Sequence, residues 1–221
     1  MARPKKRDQK DVRALVLNTA LRLFLKFGYR KVTMRKIAEE IGYTPGTIYL
    51  YFKNKAEILY ELHNEGFKRL QERRTEATET SRASATAIEK LTAAGKNYIA
   101  FALENPELYE LMFFMREPRD YIETTKKRGS KDRSQPIDYA IQTYENLKQG
   151  ILNCMDEGYL NGVDPELAAF FHWSLGHGLV SLAIRSRIPF SRKPTKELAF
   201  AAIDLATSLI EATGNPHRKD C

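Results

Sequence analysis

Apolar positions recur at three- and four-residue spacing through most of the chain. Two-residue alternation bounded by turn residues is absent, so the pattern predicts helices and no sheet. Asp11 can cap a first helix that carries Val12, Val16, Ala20, Leu23, Phe24 and Phe27 on one face and ends at Gly28. Thr33 opens a short second helix with Ile37, Ala38 and Ile41 inward, stopped by Gly42. Thr44-Pro45 reads as an N-cap followed by proline at the first helical position. The third helix it predicts is short, about two turns, with Ile48 and Phe52 inward. Asn54, with Glu57 three residues on, is a variant capping box that opens a long fourth helix to residue 78.

Further along, a helix is expected over 84–104, and Asn105-Pro106 leads into a short one ending at Met115. Residues 116–136 are charged and without period, a loop longer than compact domains usually hold without a reason. The next helix, Pro136 to Tyr159, aligns Ile137, Ala140, Ile141, Tyr144, Leu147, Ile151 and Met155. Asp164-Pro165 opens another, and Pro194-Thr195 precedes the last, 196–213. No internal repeat is visible. The expected architecture is all-α: a basic arm 1–10, a three-helix domain 11–55, a larger helical domain 56–213 and a tail 214–221.

The two late helices are apolar around their circumference. Leu167 to Ile184 carries no formal charge, and its 18 residues just reach the length of a membrane span, but two His, two Ser and two Gly favour a buried helix. On a helical projection Trp173, His177, Val180 and Ile184 share one side; Phe171, Leu175, Gly178 and Leu182 share the other. Such a helix must be covered twice. Helix 196–213, with Asp204 its one charge between Leu198 and Ile210, poses the same demand. A twin subunit laid on both helices would satisfy it through an isologous interface. A monomer large enough to bury both is the rival.

Charge divides the chain sharply. Residues 1–55 hold 14 Lys and Arg against 4 Asp and Glu, whereas the remainder holds 22 against 24. A basic head on a near-neutral body suits a polyanion, although a solvated basic face has the same composition. Only two cysteines occur, Cys154 and Cys221, which speaks against a disulfide framework and for a reducing cytoplasm. The charged start MARPKKRDQKD has no apolar segment behind it and is not read as a secretory signal.

Two short helices joined through Gly42 within the basic head form a helix-turn-helix over about residues 33–52. Thr44, Pro45, Gly46 and Thr47 start its second helix with small residues that permit close approach to a DNA backbone. Tyr49 and Tyr51 are expected outward, opposite Ile48 and Phe52. Lys55 lies in the first turn of the fourth helix, where a cation opposes the macrodipole by about 0.3–1 kcal/mol. A phosphate would satisfy both lysine and dipole.

The run VTMRKIAEEIGYTPGTIYLYFKNKAEIL, Val32 to Leu59, closely resembles the DNA-binding signature of the TetR family of transcriptional regulators. Thr33, Ile37, Ala38, Gly42, Thr44, Gly46, Tyr49, Phe52, Lys55 and Leu59 fall at family spacing; Tyr51 stands where the family often has His. The run WSLGHGL, Trp173 to Leu179, more weakly resembles a Trp–His–Gly signature of some C-terminal domains in that family. The resemblance implies an effector-binding and dimerisation domain behind the head, a palindromic double-stranded operator, and Thr33 and Lys55 on phosphates with Thr44 to Tyr51 in the major groove. The helix lacks Arg, Asn and Gln, so base reading would fall to Thr and Tyr hydroxyls, to Pro45 and Thr47 against thymine methyls, to Arg35 from the preceding helix, and to DNA shape. The arm Arg3-Pro4-Lys5-Lys6-Arg7 would add phosphate or minor-groove contacts.

His172 and His177 diverge by about 140° on a helix and cannot share a metal from one face. HExxH, CxxC and phosphate-loop patterns are missing, so no metal, cofactor or enzyme activity is expected. Candidate ligand-lining residues are Tyr98, Phe101, Met112, Met115, Tyr144, Trp173 and His177, which would suit an apolar or aromatic effector; ordinary core is the plain alternative for each. The expected function is a homodimeric repressor released by a small molecule. The alternatives are an activator, an effector-independent DNA binder, and a helical enzyme or lipid carrier.

Overall fold

The computed structural model of the chain describes residues 6–79, 84–115, 139–185 and 192–214, and every regular element among them is helical. In chain order these are α1 (Lys6–Phe27), a 3-10 turn (Tyr29–Lys31), α2 (Met34–Glu40), α3 (Pro45–Tyr49), α4 (Lys55–Glu79), α5 (Ala87–Glu104), α6 (Pro106–Phe114), α7 (Tyr139–Asp156), α8 (Pro165–Ile184) and α9 (Thr195–Glu211). The arm residues 1–5, the 116–136 loop and tail residues 215–221 lie outside the described residues. The first helix begins at Lys6, so Asp11 is interior to it and caps nothing. Between Pro4 and Gly28 no Gly or Pro interrupts the chain, and the helix continues upstream of its apolar stripe.

The described residues fall into two units. The first holds 6–66 and 107–115; the second holds the rest. In the first, Val16, Ala20, Leu23 and Phe24 of α1 meet Ile37 and Ala38 of α2, Ile48 and Phe52 around α3, and Ile58, Leu59 and Leu62 of α4. Leu111 of α6 is buried in the same core. Phe27 sits at the rim instead, exposed, with the Lys36 ammonium 3.5 Å and the Lys26 ammonium 5.3 Å from its ring centre.

The turn between α2 and α3 is closed by backbone alone. Gly42 takes φ +72°, its N–H donates to the Glu39 carbonyl at 3.2 Å, and the Tyr43 N–H donates to the Ala38 carbonyl at 2.9 Å. That pair of bonds is the Schellman motif, and it needs a residue at ease in the left-handed region. Thr44 then caps α3, accepting from the Thr47 N–H at 3.3 Å. The helix is shorter than its apolar spacing suggests, because the N–H groups of Leu50 and Tyr51 bond three residues back and tighten the last turn.

The second unit is built on Ala87, Ile88 and Leu91 of α5, Ile151 and Cys154 of α7, and Ala168 and Ala169 of α8. Ala199, Ile203 and Thr207 of α9 are also buried. Thr86 and Glu89 form a reciprocal capping box on α5, and Asp164 caps α8 by accepting from the Leu167 N–H at 2.8 Å. Burial pushes the Cys154 thiol up to about 11. The α8 helix is long and apolar enough, by length and composition, to cross a membrane; here it packs against α5, α7 and α9. Its outer side, with Phe170, Phe171 and Leu182, stays exposed, as do Leu205 and Leu209 of α9. Among the described residues, a Cβ built on Gly178 meets nothing within 4 Å.

Candidate DNA interface and ligand cavity

The outward row of α3 is the polar, small-residue stretch that sequence spacing places there. Thr44 is exposed, its hydroxyl 3.0 Å from that of Thr47, and Gly46 is exposed beside them, where a Cβ would stand 3.8 Å from the Thr44 hydroxyl oxygen. Pro45 and Thr47 are half-buried. Tyr49 projects with 55% of its surface exposed, followed by Leu50 at 76%. Sequence reading passed over Leu50, because an apolar residue beside Ile48 and Phe52 reads as core; its exposure beside Tyr49 adds an apolar contact suited to a thymine methyl. Thr33 caps α2, accepting from the Lys36 N–H at 3.1 Å, and remains exposed. Arg35 is exposed and paired with Glu39 at 2.8 Å, one helical turn on.

Two sequence expectations change here. Tyr51 faces solvent only in part: it is half-buried against the first core, and its carbonyl accepts from Arg13 at 3.1 Å. Lys55 is not left against the α4 dipole without compensation. Its ammonium donates to the Tyr29 carbonyl at 2.7 Å and the Val32 carbonyl at 2.8 Å, and it lies 4.1 Å from the centre of the Tyr29 ring. The lysine ties the start of α4 to the connection between α1 and α2. Arg13 works similarly, 4.6 Å from the Phe52 ring centre and ion-paired with Glu61. Part of the head's positive charge thus holds the head together.

The second unit contains a cavity of about 250 Å³. Leu70, Leu91, Leu147, Tyr98, Trp173 and Ile203 give it an apolar wall, Gln71, Arg74, Asn97 and Asn146 add polar groups, and His172 borders it with both ring nitrogens closed off. Asn146 donates to the Gln71 side-chain oxygen at 3.0 Å, fixing two of those amides. Gly176 lets the Tyr98 ring approach α8: a Cβ there would stand 3.4 Å from it. Trp173 packs at 6.0 Å from the Tyr98 ring and edge-on at 4.9 Å from that of His177.

Of the sequence candidates for this site, Tyr98 and Trp173 line the cavity. His177 stands behind Tyr98, its Nδ1 3.2 Å from the phenol oxygen, and burial lowers its pKa to about 4. Tyr144 presents its ring to Trp173 at 5.8 Å, but its hydroxyl donates to Glu166 at 2.8 Å. Phe101 is buried without lining the cavity. Met112 and Met115 belong to the first unit, where Met112 packs over Gly66 and Met115 against the core of α1 to α4. The short helix α6 carries them there, which its local spacing does not disclose. His172 was the missed residue. It is 6% exposed and lines the cavity beside Trp173.

Residues 16–62 match the family described as bacterial regulatory proteins, tetR family, and residues 91–205 match the tetracyclin repressor-like C-terminal domain. An uncharacterized HTH-type transcriptional regulator of Bacillus subtilis, YhgD, is 28% identical over 72% of this chain and 78% of its own length. The fatty acid metabolism regulator protein of the same organism is 28% identical over 66% of this chain and 68% of its own. Among solved structures, the fatty acid degradation regulator FadR of Bacillus halodurans superposes with a TM-score of 0.66 at 18% identity, covering 94% of this chain and 97% of that one.

Proposed function

The chain belongs to the TetR family of bacterial transcriptional regulators, and from that premise we propose that it is a cytoplasmic, homodimeric repressor whose operator is released by a small, mostly apolar effector. The observation that carries the reading is α3: a capped helix whose exposed row, Thr44 to Leu50, is held on a buried core in the basic part of the chain. Thr44, Thr47, Tyr49 and Leu50 read bases, and Thr33 and Arg35 bind phosphate or flanking base edges. Lys55 acts chiefly by holding α2 and α3 in place.

The cavity of the second unit supports the effector half of the reading. It is concave and its surface is largely apolar, as small-molecule sites are, with polar side chains such as Gln71, Arg74, Lys90, Asn97 and Asn146 set into it. One relative is named a fatty acid metabolism regulator, so fatty acids and their derivatives are the first effectors to try. The exposed apolar side of α8 and α9 is where the second subunit docks. Effector binding favours a dimer whose heads no longer match successive major grooves, about 34 Å apart.

Selection of bound fragments from genomic DNA tests this. The expected result is a palindrome with half-sites one helical turn apart, and a transcript from that operator that rises when the gene is deleted. A fallen transcript would make the protein an activator. Salt-dependent binding with no preferred sequence would replace the reading with an effector-independent DNA binder.

A further inference from the structure

We propose that the cavity of the second unit takes an apolar molecule bearing a carboxylate, and that Gln71 and Arg74 of α4 hold that carboxylate. This rests on the effector reading above and adds the head group and the residues that receive it.

Gln71 and Arg74 both line the cavity, and a spacing of three residues puts them on one side of α4. A row of amides on α7 fixes what Gln71 has to offer. The Gln142 side-chain nitrogen donates to the Asn146 oxygen at 3.2 Å, and the Asn146 nitrogen donates to the Gln71 oxygen at 3.0 Å. With its oxygen engaged, Gln71 is left as a donor. Its side-chain nitrogen has no hydrogen-bond partner among the described residues, yet it is not closed off as the ring nitrogens of His172 are. Arg74 is half-buried one turn on, and burial lowers its pKa, so the guanidinium itself is partly withdrawn from water while staying charged at neutral pH. A cation so placed is screened less than one on the surface. A carboxylate carries two oxygens in one plane, one for the guanidinium and one for the amide.

The rest of the wall agrees. Lys90 adds a second cation, and no Asp or Glu lines the cavity among the described residues, so an anion is attracted and an amine repelled. Leu91, Leu147 and Trp173 provide apolar surface for the body of the ligand. At about 250 Å³ the cavity lies under the roughly 300–1,000 Å³ of drug-sized sites, so that body is short.

Octanoate, octanamide and octylamine share one apolar body and differ in head group. They are titrated into the full chain by calorimetry and by the fluorescence of Trp173, the single tryptophan. Octanoate is expected to bind, octanamide about tenfold more weakly, and octylamine more weakly again. Arg74→Met keeps an apolar stem and is expected to weaken octanoate at least about tenfold while changing octanamide less than about threefold. Gln71→Glu can still accept from Asn146 but replaces the donor with a carboxylate, so octanoate should weaken by a similar factor and octylamine should not weaken. A mere loss of packing would weaken all three probes alike. Octanoate affinity unchanged in the Arg74→Met protein overturns the proposal, as does octanamide or octylamine binding as tightly as octanoate, equal weakening of all three probes, or no binding by any. The ranking of the three probes on the unaltered chain decides the matter if a variant does not fold. The effector reading fails separately: octanoate would then bind in an Arg74-dependent way while operator affinity stays constant in its presence.

Discussion

Leu205→Glu combined with Leu209→Glu is expected to leave a folded chain that sediments as a monomer and binds its operator at least about a hundredfold more weakly. Both leucines lie one turn apart on α9 and are 62% exposed, so the substitutions remove nothing from the subunit's own core. Phe170, Phe171 and Leu182 extend apolar surface along α8, which has no formal charge from Leu167 to Ile184. Two glutamates per chain, facing their symmetry mates across an isologous contact, would have to be desolvated unpaired. A lone head then loses the second half-site and the effective concentration that the pairing supplies. Gly178 provides an independent reading of the same face. With open space around it among the described residues, Gly178→Ala should gain about 1 kcal/mol of helix stability if only solvent lies there. A loss instead marks a neighbouring subunit in close approach. A double variant that stays dimeric with normal operator affinity would move the interface elsewhere.

Lys55→Met should lower the stability of the first unit by about 2.5–6.5 kcal/mol. The ammonium makes two charge-assisted hydrogen bonds, to the carbonyls of Tyr29 and Val32, and sits over the Tyr29 ring. Charged hydrogen bonds contribute about 1.5–3 kcal/mol each and the ring contact about 0.5–1. Relief of the α4 dipole returns about 0.3–1 kcal/mol, too little to reverse the sign. Hydrogen exchange should show the loss concentrated in the amides of α2 and α3. Operator affinity would fall through misplacement of α3, with the salt dependence nearly unchanged. The opposite pattern, full stability with a salt slope reduced by about one unit, would make Lys55 a phosphate contact after all.

Much of the head was legible because its signals are local. A cap, a proline at the first helical position and a left-handed glycine act within a few residues, and Thr44, Pro45 and Gly42 do in space what they announce in sequence. Lys55 was misread because its compensation comes from carbonyls more than twenty residues upstream, where no periodicity points. Tyr51 was turned outward by an idealised helix that in fact tightens before reaching it. In the second unit the opposite sides of α8 were visible, but the arc it buries is wider than one stripe. Three helices pack on it, so His172 is enclosed although it diverges from His177. Met112 and Met115 have the composition of a ligand wall, and only the course of α6 assigns them to the first core.

The buried thiol of Cys154 makes the second unit its own clock. It has no exposed surface and is held protonated well above neutral pH, so a thiol reagent meets it only when the core of α5, α7 and α8 opens. In a Cys221→Ser background it is the chain's sole thiol. Its trapping rate in native buffer then measures the opening free energy of that unit alone, without denaturant and without contribution from the head. An effector bound in the cavity slows the reaction by the factor one plus its concentration over its Kd, whether or not it disturbs any chromophore. The protein thus carries a built-in assay for ligands that a fluorescence screen would pass over.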